Sequence, residues 1–427
     1  MKPGVAARGA TAPGFRDLLP PAAESLRATQ EAVLAEMRRW GYRFVVTPAV
    51  ESLDVLATGL GEDQLRRLFK FSDADGSLLA IVGEKTVPAA RLAAGPLRAT
   101  PLPLRLCYAA SVLSNEAGRF AHRRESHQVG AELIGAPGEV ADAEVIAMAV
   151  RSFGAAGLRR YQLDVGHSEF FHGLLGGLRL SPALKTSVTR ILAARDFVAL
   201  EELLESTPLR SAEHDLLLRF PALRGGPEIL QAAGNLVQNR RSERALAELV
   251  RVGELLAAHG LGDAVNFDLG AIRDFDYYTG IIFEGYGPDL GRPLASGGRY
   301  DRLLEAFGRP AAATGFVIHL DLVAEALARG GDPPALPRLD AAVAWSAAGL
   351  ETALRLGSTL RLFGMRAAVD TRVATFERAR EWQRAVGAEH LLHCRTSTSV
   401  TWVAGDARAR RMAPEQAVAR LAGAASR

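Results

Sequence analysis

Seven residues of this chain have the types and spacing to hold a small zwitterion. Glu84 and Thr86 are two apart, so on an extended chain they project from one face. Gln128 and Glu132, four apart with Gly130 between them, do the same on a strand. Arg273, Tyr277 and Tyr278 lie in a third polar-aromatic run, Arg273-Asp-Phe-Asp-Tyr-Tyr-Thr-Gly280. Two carboxylates, an amide, an arginine and phenols suit a free amino acid. Carboxylate and hydroxyl hold its ammonium, arginine and amide its carboxylate, and glutamate plus tyrosine a side-chain imidazole. Singly, each residue has a plainer reading: the polar ones belong to a solvated surface, the tyrosines to a core or interface. Spacing alone does not bring the three segments together.

The elements that carry these residues read as α+β. Residues 21–41 place Leu26, Ala32, Val33, Leu34 and Met37 at helical spacing, opened by Pro21 and closed by Gly41. Tyr42–Pro48 reads as a strand, and 65–72 with 77–82 as a hairpin around Asp73-Ala-Asp-Gly76. Residues 104–114 and 124–134 are strand-like and joined by a polar loop. Such a succession argues for antiparallel pairing, not a doubly wound parallel sheet. From 169 to 259 the pattern turns helical and amphipathic, as an insertion would. Strands resume at Val265–Leu269, Gly280–Tyr286 and Ala313–Leu320. Ser296-Gly-Gly-Arg-Tyr-Asp301 lacks the strand–loop–helix setting of a phosphate loop and reads as a tight turn. Gly330–Pro337 is a linker, and beyond it AAVAW, RAAVD, HLLHC and SVTWVAG alternate with helical stretches in a small α/β domain.

Composition excludes several classes. The 427 residues are 48% hydrophobic and 23% charged, an ordinary globular balance. The formal charge of +3 is small, yet residues 335–427 hold 14 Arg, no Lys and 8 Asp plus Glu. Cys107 and Cys394 offer neither metal-ligand spacing nor a disulfide framework, which fits a reducing compartment. The nine histidines show no metal-binding spacing, so no metal and no cofactor are expected. With no signal-like or membrane-length apolar run, the expected location is the cytoplasm.

Across residues 14–325 the chain resembles histidyl-tRNA synthetases. The resemblance rests on Gly14-Phe-Arg-Asp-Leu-Leu-Pro20, on Val82-Gly-Glu-Lys-Thr-Val-Pro88, on His127-Gln-Val-Gly-Ala-Glu132, on the Arg273–Gly280 run and on Ser296–Asp301. It implies a class II synthetase-like antiparallel sheet flanked by helices, with Pro48 at the dimer-forming motif. It also implies that Glu84 and Thr86 bind the ammonium of histidine, that Gln128 and Glu132 belong to the same pocket, that Arg273 contacts the carboxylate, and that Tyr278, beside Tyr277, lies near the imidazole. Buried unpaired carboxylates are costly, so Glu84 and Glu132 are expected to need a ligand as partner.

The departures from that family lie on the ATP side. The motif-2 arginine that holds the α-phosphate is here Ser114, in Val112-Leu-Ser-Asn-Glu116. The motif-3 arginine is Leu322, in Gly315-Phe-Val-Ile-His-Leu-Asp-Leu322. The first arginine of the motif-2 Arg-x-Arg is His122, while Arg124 remains. Losing one preorganised donor costs roughly 3–4 kcal/mol, so two independent losses slow adenylation by about 10⁴–10⁶. This pattern resembles the paralogous regulatory subunits of ATP phosphoribosyltransferase. By that resemblance the chain is not an enzyme itself. It partners a short catalytic chain in the first step of histidine biosynthesis, self-associates as a dimer, takes L-histidine as ligand and does not bind tRNA. The expected organisation is a 1–330 core with a 169–259 helical insertion, and a 338–427 α/β domain resembling a degenerate anticodon-binding domain. That tail departs from regulatory subunits, which often dispense with it. Two rival readings are a divergent histidyl-tRNA synthetase and a synthetase-derived RNA-binding adaptor.

Overall fold

The computed structural model describes residues 10–115, 123–193, 196–220, 223–237, 239–270, 277–288, 290–330 and 338–425. The chain divides into two units, 1–334 and 335–427. The first unit opens with α1 (Ala22–Arg39), β1 (Arg43–Phe44), β2 (Val50–Ser52), α2 (Leu53–Ala57), α3 (Glu62–Arg66), β3 (Lys70–Ser72), β4 (Leu78–Ile81) and α4 (Thr86–Ala94). It continues through β5 (Leu104–Leu113), β6 (Glu125–Ile134), α5 (Glu139–Ala155) and β7 (Gln162–His167). Helices α6 (Ser168–Gly177), α7 (Pro182–Ala193), α8 (Phe197–Glu205) and α9 (Ser211–Arg219) follow, then β8 (Arg224–Gly225), α10 (Glu228–Gly234) and α11 (Arg240–Ala258). Strands β9 (Val265–Asp268), β10 (Ile281–Tyr286), β11 (Ala295–Arg299) and β12 (Ala313–His319), with α12 (Leu303–Ala306) and α13 (Leu320–Gly330), complete it.

Nine strands form one sheet in the order β1-β5-β6-β12-β11-β10-β7-β9-β8. Its central pairs are antiparallel, and only β1/β5 and β7/β9 run parallel. Side chains alternate across the strands. Cys107, Val129, Ala131, Phe316 and Ile318 therefore face the large core against α1, α5, α11 and α13. Gln128, Gly130, Glu132, Tyr108 and Gly315 take the other face.

Local chemistry explains the helix ends. Gly41 has φ 82°, and the amides of Gly41 and Tyr42 donate back to Arg38 and Met37 carbonyls at 3.0 and 3.2 Å, stopping α1. The Asn239 side chain accepts from the Ser242 amide at 2.9 Å and starts α11.

Several sequence expectations change in detail. The strand at 42–48 shrinks to Arg43–Phe44, and residues 65–66 of the expected hairpin end helix α3 instead. Ser296–Arg299 is not a tight turn but most of the inner strand β11, paired on both sides. Its glycines suit close packing: a Cβ on Gly298 would lie 2.9 Å from the Tyr278 ring.

The second unit is a five-stranded sheet ordered β14-β13-β15-β16-β17, built from β13 (Ala341–Trp345), β14 (Ala367–Val373), β15 (His390–Cys394), β16 (Val400–Ala404) and β17 (Arg410–Met412). Helices α14 (Leu350–Leu362) and α16 (Pro414–Ala425) share one apolar cluster with it, and α15 (Phe376–Ala385) another.

One buried ion pair anchors the first unit. Arg299 Nε donates to Asp142 Oδ2 at 2.9 Å, and its other nitrogens reach the Gly138 carbonyl at 2.9 Å and Asp301 at 3.0 Å. Breaking such a pair strands a buried charge, whereas replacing both partners by apolar groups does not. We expect Arg299→Leu to lower the unfolding free energy by about 3–5 kcal/mol in urea titrations, and Arg299→Leu with Asp142→Leu to recover much of that loss.

Candidate functional site

The register of four strands builds a cavity of about 200 Å³. Glu132 on β6 lies opposite Gly315 on β12, Gln128 opposite His319, and Tyr108 on β5 opposite Gly130. The glycines are required. A Cβ on Gly315 would collide with the Glu132 carboxylate and lie 2.6 Å from the Ala131 carbonyl, and one on Gly130 would meet the Tyr108 ring 2.5 Å away. Glu84, Lys85, Thr86, Tyr108, Gln128, Tyr277, Tyr278, Tyr300 and His319 line the space. An apolar void of about 150 Å³ accepts a benzene-sized guest, so this one is of amino-acid scale.

Six of the seven residues singled out from the sequence meet at this cavity: Glu84, Thr86, Gln128, Tyr277 and Tyr278 line it, and Glu132 is held by Tyr108 and Tyr300 of its wall. The seventh, Arg273, lies outside the described residues, as does His122. Glu84 and Thr86 do not share a face of an extended chain. Glu84 precedes α4 and its carboxylate accepts the Thr86 and Val87 amides at 2.7 and 2.9 Å, a cap on unsatisfied helix donors.

The expectation that both carboxylates need a ligand as partner also fails. Glu132 is 1% exposed and accepts hydrogen bonds from the Tyr108 hydroxyl at 3.1 Å and from the Tyr300 hydroxyl, with Thr86 as a third donor. Both acids are satisfied from within the protein. Burial pushes the Glu132 carboxyl up to about 7 despite these donors, and burial likewise raises Glu84 against its two amide bonds.

The remaining groups are tuned by the same burial. His319 is driven down to about 4, so it is neutral at pH 7, with Nδ1 3.5 Å from Gln128 Nε2. Burial lowers Lys85, whose ammonium donates to the Pro48 carbonyl at 2.8 Å and to the Thr47 hydroxyl at 3.2 Å, tying that segment to the cavity wall. Tyr277 packs at 4.9 Å from Tyr278 and edge-on at 5.8 Å from Tyr300. Tyr108, Tyr300, His319 and Lys85 were not singled out from the sequence. A signal existed for Tyr108 and Tyr300: bulky phenols near glycines at matched positions of adjoining strands.

Beyond the cavity, the cations are already engaged. Asp321 on α13 accepts from the His127 amide at 2.7 Å and its ring at 3.2 Å, and pairs with Arg16 at 3.1 Å. Burial acts to raise Asp321, but the His127 bonds win and hold it near 2. Glu325 pairs with Arg329 at 2.7 Å and Arg123 at 3.4 Å. Arg124 stacks over Phe69 at 4.8 Å and bonds Asn115. Ser114 borders a second cavity of about 150 Å³ that shares Gly83 and Glu84, while Leu322 packs against the large core. Among the described residues no His, Cys, Asp and Glu group has the arrangement to hold a metal ion.

Comparison with known proteins identifies the family. The family profile described as Histidyl-tRNA synthetase matches residues 14–323. An ATP phosphoribosyltransferase regulatory subunit of Moorella thermoacetica is 43% identical over 322 residues, 75% of this chain and 82% of that protein. One from Desulforamulus reducens is 38% identical over 389 residues, 90% and 96% of the two chains. The chain belongs to the ATP phosphoribosyltransferase regulatory-subunit family. A solved structure from Bacillus halodurans, described as an ATP phosphoribosyltransferase regulatory subunit/histidyl-tRNA synthetase, superposes with TM-score 0.81 at 31% identity over 92% of this chain and 99% of that one. The histidyl-tRNA synthetase of Nostoc sp. PCC 7120 gives 0.83 at 18% identity over 97% and 98%, which establishes the shared synthetase-like fold. The chain therefore has the α+β class II architecture expected from its sequence, and no helix among its described residues is long and apolar enough to cross a membrane.

Glu132 makes a testable contribution to stability. Its folded value near 7 lies above the ordinary 4.5, so the unfolded chain releases this proton first as pH rises. The contribution is intact below about 4.5 and is lost progressively up to about 7. Urea midpoints measured across that window should fall more steeply for the native protein than for Glu132→Gln.

Proposed function

We propose that this chain activates a short ATP phosphoribosyltransferase catalytic chain and relays histidine feedback to it, performing no transfer itself. One observation carries the reading: an amino-acid-sized cavity keeps its synthetase-like groups, while the adjoining ATP side has Ser114 and Leu322 and its cations are engaged by Asp321 and Glu325. A leucine cannot replace a guanidinium paired with phosphate. The divergent-synthetase reading therefore recedes, and aminoacylation by this chain is expected to fall about 10⁴-fold or more below that of a competent enzyme.

Histidine is the proposed ligand. Its ammonium sits toward Thr86 and Glu132, Gln128 and Arg273 take its carboxylate, and Tyr278, beside Tyr277, abuts its imidazole. Glu84 acts by fixing Thr86 through the α4 cap. A bound ammonium favours ionised Glu132, so histidine affinity should strengthen as pH rises toward 7 and above. Feedback requires only that histidine prefer one assembly state, and a coupling of about 1–3 kcal/mol changes affinity 5–150-fold. We place self-association at the Pro48 region, where Phe44 and Val46 are exposed, 43% and 80%. The α/β unit at 338–427 stands as a remnant of an anticodon-binding domain, with no tRNA role.

The deciding experiment measures phosphoribosyl-ATP formation by the short catalytic chain with and without this protein while histidine is titrated. Activation on mixing, reversed by histidine, is the expected result; unchanged turnover would bring the adaptor reading forward. Glu132→Ala should abolish the histidine response while co-elution with the catalytic chain persists. Arg273→Ala should weaken histidine binding in calorimetry by about tenfold or more.

A further inference from the structure

The second unit contains a larger cavity that the histidine reading leaves unused. It measures about 920 Å³ and lies at the carboxyl ends of β13, β14 and β15, the three parallel strands of the sheet. The chain leaves β13 at Ser346 toward α14, and leaves β14 at Ala374 toward α15. These helices join different apolar clusters, on opposite faces of the sheet. The cavity thus opens where neighbouring strands send their connections to opposite sides, the place where open α/β sheets seat ligands.

Its lining is built for an anion. The first turn of the ten-residue α15 borders it, capped by the Thr375 hydroxyl, which accepts the Arg378 amide at 3.4 Å. Arg378, Arg395 and Arg411 line it, and none of them pairs with a carboxylate among the described residues. One acid, Glu377, also lines it, its carboxylate bonded to the Thr375 hydroxyl. A further observation is independent of the helix. His393 also lines the cavity and is 4% exposed. Its Nε2 bonds the Ala374 carbonyl at 2.9 Å, which fixes the proton there because a carbonyl only accepts. Its Nδ1 is buried without a partner. A buried acceptor left unpaired costs about 1–3 kcal/mol, so a ligand hydroxyl that donates to it is favoured.

We infer that this cavity binds the phosphate monoester of a small molecule. The arginines surround the phosphate, and His393 Nδ1, which can only accept, faces a hydroxyl on the body of the ligand. Phe376, edge-on to His393 at 5.9 Å, provides an apolar wall for the body of the ligand. A bounded cleft at one end of a sheet, with an acid in its lining, suits a small ester better than an extended polyanion.

The test is calorimetry on the full-length chain with phenyl phosphate, using phenol and inorganic phosphate as comparators. Saturable binding of phenyl phosphate is expected, displaced by inorganic phosphate and absent with phenol. Arg395→Gln combined with Arg411→Gln should weaken it about tenfold or more. Glu132→Gln, in the other unit, should leave it unchanged. The exposed arginines make a folded double variant accessible, verified by an unaltered thermal midpoint. No saturable binding, or binding indifferent to the arginine changes, overturns the proposal. So does tight binding of a single-stranded RNA that phenyl phosphate does not displace, which would make this face a nucleic-acid surface.

Discussion

The carboxylate of Glu132 lies in the interior of a nine-stranded sheet, where charge is tolerated only if hydrogen bonds replace the lost water. Tyr108, Tyr300 and Thr86 supply them, and each is delivered by a different element. Tyr108 comes from β5, Tyr300 from the end of β11, and Thr86 from the first turn of α4, which Glu84 caps. Room for these groups exists because Gly130 and Gly315 stand opposite or beside them in register. Shifting β6 by one residue would send the carboxylate to the apolar face, and shifting β5 or β12 would take Tyr108 or Gly315 from beside it. The cavity is therefore a consequence of satisfying one buried acid.

The cavity differs in kind from the charged cluster on α13. It depends on a closed hydrogen-bond network, in which each member is needed to satisfy another. In the cluster, Asp321 and Glu325, one helical turn apart on α13, gather Arg16, His127, Arg123 and Arg329 around themselves.

The second unit obeys a different logic. Three of its strands are parallel, so their carboxyl ends and the following helix start gather at one edge of the sheet. Basic side chains and the partnerless nitrogen of His393 collect there for topological reasons, with no dependence on the first unit.

Much of this protein is legible in the order of its residues. Alternation along 104–113 and 125–134 reads as strands because side-chain period is local, and helix α1 is bounded by Gly41, whose positive φ stops it. The glutamates, Gln128 and the two tyrosines are recognisable by type and motif. Residue order therefore shows groups whose types suit a free amino acid, with Ser at 114 and Leu at 322. How those groups are used depends on the folded chain. Glu84 serves as a helix cap, Glu132 gains phenolic partners from residues 24 and 168 positions away, and Ser296–Arg299 forms an inner strand. The physical reason is that hydrogen-bond partners and burial are set by strand register across long separations, which local residue patterns do not encode.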